Sequence, residues 1–204
     1  MSRITFLSSA LVLALAGCTG GPAADLTIVP LEQVSPDLPA VPTIPPPRFE
    51  VQYSDGSYSV FGIRRRAEET MNQDVTITGW VVDVFEPEPC EEGRTCPPAA
   101  APHVWLYDEN EVPEDRREML LLTAYASNHE LVQEAIENAQ RPRPRELDAD
   151  PLLGVTIPHD LLRGARIKVT AQFTRVGNGF SNSTGLLVYR SHETLQPPPD
   201  PEES

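Results

Sequence analysis

Between Phe49 and Leu195, apolar and polar residues alternate with a period of two over most of the chain, the spacing of strands that bury one face. The clearest instance sets Ile167, Val169, Ala171 and Phe173 against Arg166, Lys168, Thr170 and Gln172, predicting a strand over 165–176 with one wet face. Further strands are predicted over 74–85, 103–108, 119–125 and 185–195. In the first of these, Val75 and Ile77 share a face, and after a change of phase Trp80, Val82 and Val84 continue it. Gly79 stands at that change, which predicts a bulge or sharp bend.

A helical period appears after the third strand. Ser127-Asn128-His129-Glu130 has the form of a capping box, with Ser127 as N-cap and Glu130 three residues on. Leu131, Ala135 and Ile136 then make an apolar stripe, and Gln140-Arg141-Pro142 closes the helix with a cation at its C-terminal end. A shorter helix is predicted around 66–71. The stretch from Gly177 to Ser183 reads as a hairpin loop between the last two strands, with Phe180 exposed on it.

Composition then divides the chain. Of its 22 prolines, eight lie between Thr19 and Arg48 and four in the tail QPPPDPEES. Proline-rich segments favour extended polyproline geometry and act as spacers. The chain therefore parses into a leader over 1–17, a tether over 18–48, a β-rich domain over 49–195 and a proline-rich, acidic and disordered tail over 196–204. The leader carries Arg3 and then an uncharged, mostly apolar run from Ile4 to Ala16, of signal-peptide length and too short to span a bilayer.

The leader ends in Leu15-Ala16-Gly17-Cys18, which resembles the lipobox of bacterial lipoproteins. The resemblance implies cleavage before Cys18 and acylation of that residue, making it the membrane anchor, with more than one lipid chain needed for stable attachment. Ala14-Leu15-Ala16 also fits an ordinary secretory cleavage site. That alternative leaves an odd set of three cysteines, Cys18, Cys90 and Cys96, whereas lipidation leaves a pair. Thr19 after the cysteine, in place of Asp, favours the outer membrane of a Gram-negative envelope.

Five strands with a helix between the third and fourth, and a glycine bend in the first, are similar to the OB-fold, a small partly open Greek-key barrel. The likeness covers 74–195. The segment IPHDLLRGARIKV over 157–169 resembles the entry to the fourth strand of bacterial periplasmic OB-fold proteins. It implies a mainly β domain built as a five-stranded barrel, with the loop between the first two strands bordering the binding face. Another small β-barrel or a sandwich is the alternative, because that loop is long and Arg141 to Gly154 reads as an insertion.

Charge removes one class of function. With 16 basic against 30 acidic residues and a net charge of −14, the chain lacks the cationic excess that duplex-DNA binding needs. Single-stranded nucleic-acid binding rests on fold analogy alone, since basic groove and aromatic platforms are both thin. No nucleic-acid partner is expected.

Cys90 and Cys96 in CEEGRTC predict a loop disulfide in an oxidising compartment. A zinc site recruiting His103 lacks a fourth ligand and the paired C-x-x-C spacing. The acidic stretches over 108–118 and 146–150 miss the EF-hand spacing and read as solvated loops. Arg64-Arg65-Arg66 and Arg141, Arg143 and Arg145 stand near Glu68, Glu69 and Glu146, as a self-neutralised surface does. His103, His129, His159 and His192 are scattered, and no nucleophile elbow, Walker loop, dinucleotide fingerprint or H-E-x-x-H occurs. A non-catalytic module without metal or cofactor is expected, with an envelope hydrolase using His and Asp as the alternative. Its contacts to an envelope protein or polysaccharide are expected from Arg94 in the cysteine loop, from Trp105 and Tyr107, and from Phe180. Plain core and rim packing is the competing account of Trp105 and Tyr107.

Overall fold

The computed structural model describes residues 39, 44–87 and 100–199. Cys18, Cys90, Arg94, Cys96, nearly all of the tether and the last five residues lie outside the described residues.

The domain is mainly β, with a five-stranded sheet. The strands are β1 (Asp74–Val84), β2 (His103–Tyr107), β3 (Leu120–Thr123), β4 (Arg166–Gly177) and β5 (Phe180–Gln196). The helices are α1 (Val60–Arg65), α2 (Ala67–Thr70) and α3 (His129–Ala139), with a 3-10 turn at Arg116–Glu118. The sheet closes on itself in the order β1-β2-β3-β5-β4. β3 and β5 pair in parallel and all other neighbours are antiparallel. Inward residues of every strand, among them Ile77, Val104, Leu122, Val169, Phe173 and Leu187, meet in one core with Val60 and Ile63 of α1 and Ala135 of α3.

The phase change in β1 falls later than the glycine. Gly79 pairs in regular register with Ile167, and the irregularity lies between Val81 and Asp83. Val81 therefore continues the core face of Val75 and Ile77, while Trp80 and Val82 point to the other side and join a second apolar cluster. Gly79 is required for a different reason. A Cβ there would stand 3.1 Å from both Val60 Cγ2 and the Tyr107 carbonyl, so the small residue lets α1 sit down on the barrel.

Helix α3 starts one residue later than the capping box predicts. Asn128 is the N-cap, its side chain accepting from Leu131 N, and the Ser127 amide donates instead to Asp150. The predicted helix at 66–71 corresponds to α2, and α1 ahead of it has no counterpart in the sequence reading. The predicted loop at 177–183 is shorter: only Asn178 and Gly179 turn, at φ of 43° and 87°, as in a primed two-residue hairpin. β5 continues far past that turn and bends at Gly185, where φ is 103°. The bend brings Gly177 against Val188, Leu186 and Thr123 and so folds the β4–β5 arm over the outside of β3.

Two acidic residues expected in solvated loops are structural. Asp150 is 1% exposed and accepts from the amides of Ser127, Leu152 and Leu153. It ties the segment after α3 to the helix start. Asp108 is half-buried against α1.

Candidate functional site

β2 is the strand around which the candidate site is built. Val104 and Leu106 enter the core, so His103, Trp105 and Tyr107 form one row on the outer face, as alternation demands. Across β3 that row faces Thr123 and Leu121, and across β1 Tyr107 pairs with Trp80 and Trp105 with Asp83. Val82, Tyr107 and Met119 are buried there, with Phe49, Trp80 and Trp105 packed against them. Tyr107 is only 3% exposed and its hydroxyl donates to Glu118 at 3.0 Å. Burial, and then the Glu118 carboxylate, push its pKa up to about 12. Tyr107 therefore shapes the site from below, while Trp105 keeps part of its ring open.

One end of the row is a cluster of aromatic and imidazole rings at the foot of the loop between β1 and β2. Phe85 stacks on His103 at 4.3 Å and 16°, and Phe180 meets His103 edge-on at 4.9 Å. His129, from the first turn of α3, lies 5.8 Å from Phe85. Phe180 is thus half-buried packing rather than an exposed loop tip. His103 Nδ1 bonds the Ala101 carbonyl and His129 Nε2 the Ala100 carbonyl, each at 2.9 Å. A carbonyl only accepts, so each ring carries its proton on that nitrogen. Burial lowers the His103 pKa. Two consecutive loop carbonyls are held this way by histidines from different elements.

The other end opens into a cleft of about 290 Å³ lined by Arg48, Phe49, Phe61, Arg64, Arg65 and Tyr107, among others. α1 builds it. Phe61, Arg64 and Arg65 fall at i, i+3 and i+4 and so share one helix face. Ser59 caps the helix by accepting from Gly62 N at 2.8 Å, and Asp108 accepts from the amides of Val60 and Phe61 at 2.7 Å each. Burial raises the Asp108 pKa, against the pull of those two amides. The guanidinium of Arg65 lies 5.1 Å over Phe61 and that of Arg48 lies 5.0 Å over Phe49, within cation–π range. Arg64 Nη1 donates to the Glu118 carbonyl at 3.3 Å. Arg48 also pairs with Glu109 at 2.6 Å and borders an adjoining acidic cleft lined by Glu109, Glu111, Val112, Glu114 and Asp115.

A third arrangement lies elsewhere, where the segment leading into β4 meets the C-terminal part of β5. His192 Nε2 donates to Asp160 Oδ1 at 2.8 Å, and its Nδ1 is 3.0 Å from the Tyr189 hydroxyl. Thr194 donates to the other Asp160 oxygen. Burial alone would raise the Asp160 carboxyl, but the bonds from His192 and Thr194 outweigh it and hold it near about 2. The hydroxyl beside the imidazole belongs to Tyr189, buried and with its pKa pushed up to about 12. Its chemistry as seen is that of a clasp joining two segments.

Of the residues singled out from sequence, the structure brings Trp105, Tyr107 and Phe180 to one surface, with His103 joining the first pair to the third. Arg94, Cys90 and Cys96 lie outside the described residues. Among the described residues no group of three or more His, Cys, Asp or Glu side chains is placed to hold a metal ion. The sequence reading missed α1 and the arginine cleft; Ser59 as a cap before Val60 was the available signal.

No protein-family model matches the chain, and no curated protein does. Among solved structures it is similar to a protein assigned as an aspartyl-tRNA synthetase of Leishmania major Friedlin, at 13% identity and a TM-score of 0.36, over 78% of this chain and 23% of that one. A likeness at that level is no guide to what this chain binds.

Proposed function

We propose that the chain is a lipid-anchored, non-catalytic binding or scaffolding module of the Gram-negative envelope, with an OB-fold-like domain held on a proline-rich tether. The anchor and location rest on Leu15-Ala16-Gly17-Cys18 and the apolar leader before it. The closed strand order β1-β2-β3-β5-β4, with α3 following β3 in the chain, supports the OB-fold-like reading. The observation that carries the binding role is the outer row of β2, where half-open Trp105 stands between the histidine cluster and the arginine cleft. Aromatic side chains bordered by arginine are what recognition surfaces concentrate. The partner is an envelope protein or glycan that lays a flat or apolar group on Trp105.

The test is cross-linking of the full chain in its native membrane, followed by mass spectrometry, beside a Trp105→Ala variant. A partner captured by the native chain and lost in the variant supports the role. Recovery of the bare chain from both, under several growth conditions, rejects it. Labelling with a fatty acid that disappears in Cys18→Ser checks the anchor separately.

A further inference from the structure

We infer that the arginine cleft beside α1 receives the Glu111–Glu114 loop of a second copy of this chain, in a two-fold symmetric dimer. The inference goes beyond partner binding at Trp105, sharing with that reading the arginine cleft but not Trp105 itself. Arg64 and Arg65 are on the cleft wall, and neither makes an ion pair within the described residues. Phe49 and Phe61 border this cleft of about 290 Å³, and the two carboxylates that also line it are already engaged, Asp108 by the Val60 and Phe61 amides and Glu118 by the Tyr107 hydroxyl. That chemistry asks for a short apolar plug with carboxylates on both sides. The chain displays such a plug in Glu111-Val112-Pro113-Glu114, where Val112 is 37% exposed and both glutamates are exposed.

The placement supplies the symmetry. Arg48 lines both the arginine cleft and the acidic cleft that carries this loop, so the two complementary surfaces are adjacent on one face. A two-fold axis beside Arg48 would set each on its opposite in the partner, which is what an isologous interface requires. The net charge of −14 opposes association at long range. Salt confines that repulsion to about 8 Å at physiological ionic strength, while the paired charges lie in contact and gain from their desolvated aromatic floor.

Charge reversal tests this on the full chain in mild detergent, by sedimentation. The native chain is expected to dimerise, more weakly as salt rises. Arg64→Glu/Arg65→Glu and Glu111→Arg/Glu114→Arg are each expected to raise the dissociation constant at least tenfold. An equimolar mixture of the two variants should form a mixed dimer, because both contacts become complementary again; a variant that had merely unfolded could not be rescued this way. A native chain that stays monomeric to about 100 µM, a dimer indifferent to both variants, or a mixture that stays monomeric would each overturn the inference. A monomer that still captures a partner through Trp105 overturns the dimer and leaves the binding role standing.

Discussion

The ring of Phe173 on β4 lies over the backbone of Gly185 on β5, so close that a Cβ at 185 would stand 2.4 Å from Phe173 Cζ. Phe173 is fully buried, and Gly185 has a φ of 103°, a conformation that side-chain-bearing residues avoid. Contact and dihedral together bend β5 and send the β4–β5 arm over β3. Gly185→Ala should therefore cost about 2–4 kcal/mol, strain and overpacking acting together. Urea unfolding measures it, and a cost below about 1 kcal/mol would show that the bend is not held by this contact.

The Asp160–His192 clasp predicts a pH dependence with a definite sign. The folded Asp160 pKa of about 2 lies below the ordinary value near 3.8, so the carboxylate's contribution is complete above pH 4 and is lost as pH falls toward 2. Asp160→Asn should be less stable than the native chain by about 1.5–3 kcal/mol at pH 7, with the gap closing at low pH. Denaturant titrations from pH 2 to 7 decide it, and a gap that widens on acidification would contradict the assignment.

Asp108 predicts a coupling between the end of β2 and the start of α1. Asp108→Ala leaves the Val60 and Phe61 amides without their acceptor and should cost about 2 kcal/mol. It should also loosen α1 and raise amide exchange over 60–65 before the barrel strands are affected. Exchange that rises uniformly across the domain would show that α1 has no separate anchor.

The N-cap of α3 separates two neighbouring residues. Asn128→Ala should cost about 1 kcal/mol, while Ser127→Ala should change stability by less than about 0.5 kcal/mol, because Ser127 contributes its backbone amide to Asp150 and not a side-chain cap. Thermal melts of the two variants suffice. Equal losses would return the cap to Ser127.

Much of the strand set was legible because alternation is a local signal. Ile167 to Phe173 reads as a strand with one wet face, and β4 buries those very residues. In β1, Trp80-Val81-Val82 is an unbroken apolar run, and such a run does not say which residue turns inward; the bulge between Val81 and Asp83 decides it. α1 was missed because Val60-Phe61-Gly62 has poor intrinsic helix propensity, and its supports come from Ser59 and from Asp108, 48 residues away from Val60. The candidate site was half legible for the same reason. Trp105 and Tyr107 share a face by simple alternation, whereas His103, Phe85, His129 and Phe180 meet only through closure of the sheet and the folding of the arm.

Residue order by itself determined the uncharged, mostly apolar run ahead of Cys18, the proline-rich stretch after it, the acid excess, the strand-rich domain and the α3 stripe, because each is a matter of composition or of spacing within a few residues. Only the tertiary structure decided that β5 returns parallel to β3, that Asp108 and Asp150 are anchors rather than solvated charges, and that Phe49, Phe61, Arg64 and Arg65 surround one cleft. Those outcomes depend on hydrogen bonds and contacts between residues tens of positions apart, whose energies exist only once the barrel has closed and excluded water from between them.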